Sequence, residues 1–174
     1  MFPAMSPAFV FNTHLGLGYV AWLLCFGRFW PKLRAMDRLE AQRLIAMLHG
    51  FRFFGLVFIV PGVVGPDLPA GFAQFAAYGD FATGLLAMLA LLTVGMRPLF
   101  WLFVVAFNLV GTVDIIVDYY HGVRLGLPAG QLGAAYAIVI LYVPILMITH
   151  AASFYMLLRP GFATGRRDEA APAA

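Results

Sequence analysis

Polar and apolar residues in this chain are segregated over whole segments more than over the faces of single helices. Five stretches, about 8–30, 44–64, 70–95, 98–120 and 132–158, are apolar nearly throughout. Each reaches the roughly 20 residues that a helix needs to cross a hydrocarbon core. Breakers stand between them: Pro31, the Gly65-Pro66-Asp67-Leu68-Pro69 turn, Gly95 with Pro98, and Gly126 to Gly130 around Pro128. The pattern predicts an all-α integral membrane bundle of five transmembrane helices, a single domain over residues 1–158. The first stretch has no basic leader and no small-residue cleavage site, so it reads as a retained helix and not as a signal peptide. Between Pro31 and Arg43 charged residues alternate with Leu33, Met36 and Leu39, which predicts a short interfacial helix. Residues 159–174 carry Ala, Pro, Gly and charge without an apolar period, and read as a disordered cytoplasmic tail.

Composition agrees with the pattern. With 63% hydrophobic residues, 11% charged and a mean hydropathy of +0.89, the chain holds more apolar surface than a soluble core of 174 residues could hide. A net charge of +3 would suggest nucleic acid in a soluble protein, but here the basic residues flank the spans and read as topology signals. Arg28, Lys32, Arg34, Arg38, Arg43, Arg97, Arg159, Arg166 and Arg167 fall on one side and only Arg124 on the other. This predicts the N-terminus out and the C-terminus in, in a bacterial cytoplasmic (inner) membrane. Cys25 is the only cysteine, which excludes an internal disulfide and a cysteine-built zinc or iron–sulfur site within one chain. Lys32, the only lysine, lies between spans, so an intramembrane Schiff base is excluded too.

Chemistry is then sought in the polar residues inside the spans. A charged group in hydrocarbon costs roughly 2.5–3.5 kcal/mol even on lenient scales, so it needs a partner or a role. Arg52 on span two and Asp80 on span three sit near mid-membrane on antiparallel neighbours. Together with Asn108 and His150 they form the candidate ligand-binding or ion-pathway set, and the bland alternative is an ion pair that only fixes helix register. His49 and His150 lie at similar depth on different helices, as the two axial ligands of a haem b would. Asp114, Asp118 and His121 follow i, i+4, i+7 spacing and, with His14, have the donor types for a divalent metal. The expected alternative for that stripe is a wet interface, with Asp114 bonding across a helix contact. Pro144 frees one backbone carbonyl in span five, for a bend or for a ligand.

Four motifs recur in combination: Arg52-x-x-Gly55, Gly79-Asp80 with Gly84, Asn108-x-x-Gly111-x-x-Asp114, and Pro144 with His150. The set resembles a group of small, uncharacterised bacterial multi-pass membrane proteins, over roughly residues 44–158. The resemblance implies that these positions act as a linked set and supplies no activity. Asp118 departs from it, since a small apolar residue is expected there.

Three functions are compatible with these readings. The leading one is a bundle that binds a small molecule or lipid, or passes an ion or proton, through an intramembrane polar pocket. The others are a haem b or quinone redox protein, and an accessory subunit packed against a partner membrane protein or further copies of itself. No nucleic-acid partner is expected. Enzymatic hydrolysis ranks last: no Gly-x-Ser-x-Gly elbow or metalloprotease motif is present.

Overall fold

The computed structural model describes residues 6–126 and 129–158, so the expected tail at 159–174 lies outside the described residues. Among the described residues the chain is helical, with five helices long and apolar enough to cross a membrane. Helix α1 (Pro7–Ala35) opens on Ser6, whose hydroxyl accepts the Phe9 N–H at 3.2 Å, with Pro7 at the first position. It continues through Pro31 to Ala35. A proline costs a membrane helix one backbone bond without ending it, because neighbouring groups can satisfy what it frees. The interfacial helix expected between Pro31 and Arg43 is therefore absent: its first half completes α1 and its second half begins α2.

Helix α2 (Arg38–Gly50) starts at Asp37, whose carboxylate accepts the Leu39 N–H at 3.0 Å. At Phe51 it tightens into a 3-10 helix that runs to Ile59. Such runs are usually three or four residues long. With three residues per turn, Arg52, Gly55 and Phe58 stand in single file, and they are the buried residues of the segment. In an α-helix the same three would fan out by 60° per step.

Helix α3 (Ala70–Leu92) sits between the α2 arm and α4 (Arg97–Arg124). Helix α5 (Val143–Leu158) packs on α4 and α2, after a kinked 3-10 stretch, Ala129–Ala135, and a π-helical turn, Ile138–Tyr142. Helix α1 leans mainly on this last arm. Pro144 has no N–H to offer the Ile140 carbonyl, and Gly18 of α1 packs directly over that oxygen, where a side chain would collide. The Trp22 indole N–H donates to the Leu141 carbonyl at 2.6 Å. The expected freed carbonyl thus becomes the seat of α1.

Two loops close one end of the bundle. Gly65 N–H donates to the Gln131 carbonyl at 2.8 Å, Ala134 N–H to the Val63 carbonyl at 2.9 Å, and the Gln131 side-chain oxygen accepts the Asp67 N–H at 3.1 Å. Gly133, at φ 52°, turns back over Val63 where no side chain would fit.

Candidate functional site

Arg52 is the hub of a polar network in the middle of the bundle. Its guanidinium is 1% exposed and donates in four directions. Nε–H reaches Asp80 Oδ1 of α3 at 2.6 Å and Nη2 reaches Asp114 Oδ2 of α4 at 2.6 Å. Nη1 lies 3.2 Å from both the Gly111 carbonyl and His150 Nε2. A guanidinium only donates, so His150 accepts at Nε2 and donates from Nδ1 to Asn108 Oδ1, 2.9 Å away. Asn108 in turn spends its amide N–H on the Val104 carbonyl at 2.8 Å, which leaves its oxygen free for the imidazole.

Glycines give these groups their space. A Cβ at Gly55 would overlap the Asp80 carboxylate, one at Gly79 would overlap that of Asp114, and one at Gly111 would meet Arg52, His150 and Thr83. Gly84 packs against the Phe53 backbone, bringing α3 and the 3-10 segment close enough for Asp80 to reach Arg52. Small residues at helix contacts serve the same end in membrane bundles generally.

Arg52, Asp80, Asn108 and His150 are thus brought together in one hydrogen-bonded network. Asp114 bonds across a helix contact, as the alternative reading of its stripe expected, and joins no metal set among the described residues. It is 3% exposed and belongs to the Arg52 network, because a planar guanidinium fork can hold two carboxylates from two helices at once. His14 Nδ1 lies 2.7 Å from the Tyr136 hydroxyl, and the His121 ring packs on Phe75 and Tyr120. Among the described residues no three His, Cys, Asp or Glu side chains gather closely enough to hold a metal ion, so the Asp114, Asp118, His121 and His14 set does not form one.

The bis-imidazole arrangement also fails to fit. The His49 and His150 rings are in contact, with centroids 4.1 Å apart and planes tilted 47°, which leaves no space for a porphyrin between them. His49 Nε2 is engaged by Thr149 Oγ1 at 3.0 Å. That hydroxyl donates to the Ile145 carbonyl at 2.7 Å, so it accepts from His49. Further along the bundle Gln42 and Ser153 form a reciprocal buried pair, Nε2–H to the Ser153 carbonyl at 3.2 Å and Ser153 Oγ–H to Oε1 at 2.7 Å. Sequence reasoning missed Gln42, Thr149 and Ser153. The available signal was the i+3 spacing of Ser153 to His150 and Thr149's place beside it, together with a lone amide just before an apolar span.

On the other side of Arg52 a cavity of about 360 Å³ opens. Phe11 and Leu15 of α1, Phe58, Phe72, Ile115 and Leu132 supply apolar walls, while Arg52, Asp80, Asp118, Tyr119 and Asn12 supply polar groups. Where α1 passes α4, the Tyr19 and Tyr119 hydroxyls meet at 2.9 Å. Asp118 makes no hydrogen bond to a described residue, and its Oδ1 is buried without a partner, as is Asp114 Oδ1. Asn12 and Tyr119 were not singled out from sequence, because span one carried no motif and a tyrosine near a helix end reads as an interfacial anchor.

The sequence model of a family described as Domain of unknown function (DUF8737) matches residues 10–158. No curated protein and no solved structure matches the chain.

Proposed function

This chain belongs to that family, and we propose that it is a bacterial inner-membrane protein that binds a small amphipathic molecule in the cavity between α1 and the Arg52 network. The observation that carries the reading is the cavity itself: about 360 Å³, apolar walls, and a few convergent polar groups at one end. That is the make-up of small-molecule sites. The basic residues flanking one side of the spans support an orientation with the N-terminus out and the C-terminus in, which puts the cavity in the outer half of the bilayer.

In this reading the network and the cavity have separate tasks. Arg52, held by two carboxylates, a carbonyl and an imidazole, locks α3, α4, α5 and the 3-10 segment in register. Asn108 and His150 stand behind Arg52, and only Arg52 and Asp80 of the original four reach the cavity wall. Passage of a proton along the bundle has less support, since the His49 and His150 rings touch without a hydrogen bond between them.

The test is extraction of the purified protein followed by mass spectrometry. A species present near one per chain in the wild type should be lost from Leu15→Trp, whose indole fills the cavity from the α1 side. Identical extracts from the two proteins would sink the reading.

A further inference from the structure

We infer that the polar end of the cavity's ligand is a cation, and that the ligand is a small single-chain amine; this rests on the cavity reading above. Two carboxylates, Asp80 and Asp114, hold the one guanidinium, and a third carboxyl group, Asp118, lines the same cavity as Arg52 and Asp80. Arg52 already spends four of its five N–H groups on Asp80, Asp114, the Gly111 carbonyl and His150, so an anionic head would find a single Nη2–H and would have to lie against the carboxylates bonded beside it.

The acceptors, by contrast, are in excess. Asp80 is nine-tenths buried and lines the cavity, and only its Oδ1 is taken by the protein among the described residues. Asp118 lines the same cavity from α4 with both oxygens unbonded to described residues. One turn deeper, Asp114 Oδ1 is also without a partner. Unpaired carboxyl oxygens in a water-poor interior favour a ligand that brings N–H donors and positive charge. A primary ammonium brings three donors and no acceptor.

The walls and the volume narrow the class further. Phe11, Phe58, Phe72 and Leu132 suit a hydrocarbon chain and not a hydrated inorganic ion. A cavity of about 360 Å³ lies at the low end of the ligand-site range, which favours one short chain over a two-chain lipid.

The experiment compares octylamine, 1-octanol and octanoate, identical in chain and different in head, on the full chain in phosphatidylcholine nanodiscs. Thermal unfolding followed by tryptophan fluorescence yields an apparent Kd for each, since a ligand that binds only the folded state raises the melting temperature. Octylamine should bind about tenfold or more tighter than octanol, as a charge-assisted bond outranks a neutral one, with octanoate weakest. Asp118→Asn should weaken octylamine more than octanol and so narrow the gap between the two. Should octanol or octanoate match octylamine on the wild type while Leu15→Trp abolishes binding of all three, the cationic head is refuted and the cavity reading survives. If none of the three binds, or if Leu15→Trp binds them as well as the wild type, the cavity reading fails and the inference fails with it. The wild-type ranking decides the head group even if Asp118→Asn does not fold.

Discussion

Arg52→Met exchanges the hub of the network for an apolar side chain of similar reach, and its cost can be worked from the bonds it breaks. Asp80 and Asp114 lose the cation they share, and the Gly111 carbonyl and His150 Nε2 lose a donor, in a site where Arg52 itself is 1% exposed. Removing one partner of a buried ion pair destabilises by about 3–5 kcal/mol, because the other is left uncompensated. Asp80→Asn is a gentler change. Its amide oxygen still accepts from Nε, and Arg52 keeps Asp114, so the loss is the difference between a charge-assisted and a neutral bond, about 1 kcal/mol. The network therefore predicts a marked asymmetry between cation and anion. The triple variant Arg52→Met/Asp80→Asn/Asp114→Asn removes the cation together with the two carboxylates bonded to it and should be more stable than Arg52→Met alone, since neither carboxylate is left as an uncompensated buried charge. Unfolding in mixed micelles by sodium dodecyl sulfate, followed by loss of helical circular dichroism, measures all three. If Arg52→Met proved as mild as Asp80→Asn, or the triple variant fell below Arg52→Met, Arg52 would not be the hub.

Further predictions concern space, hydrogen bonding and orientation. Gly111→Ala forces a methyl group against Arg52, His150 and Thr83 and should destabilise by about 1–3 kcal/mol, whereas Gly16→Ala, which meets open space, should stay within about 0.5 kcal/mol. The same micelle titration checks both, and equal effects would discount the steric argument. Thr149→Val strands the His49 Nε2–H and should cost about 1–3 kcal/mol, while Thr13→Val, on an exposed hydroxyl, should not exceed experimental error. In a Cys25→Ser background, a cysteine placed at Asp67 should react with a membrane-impermeant maleimide on intact cells and one placed at Arg43 only after lysis. The reverse pattern would overturn the proposed orientation.

The helical class was legible because hydrophobic length alone requires it: nothing but a helix satisfies its own backbone in lipid over such stretches. The Arg52 and Asp80 pairing was legible for a related reason, as two opposite charges on neighbouring spans have few other partners. What sequence could not give was the sharing. Reading Asp114 by its spacing to Asp118 and His121 placed it on a stripe, whereas the guanidinium fork and the gap at Gly79 draw it to Arg52. The role of span one was hidden for a different reason. Its contribution is shape, Gly18 over a carbonyl and Phe11 and Leu15 on a cavity wall, and shape leaves no polar signature in an apolar run.

The 3-10 segment from Phe51 to Ile59 also has a mechanical meaning. A 3-10 helix advances about 2.0 Å and turns 120° per residue, against 1.5 Å and 100° in an α-helix. Conversion of the six steps between Arg52 and Phe58 to α geometry would shorten that interval by about 3 Å and rotate Phe58 by about 120° around the axis. Arg52 is anchored by four bonds, and Phe58 is a wall of the cavity. The segment is thus a screw with one end clamped, in which a change of pitch turns the cavity wall while the clamp stays fixed.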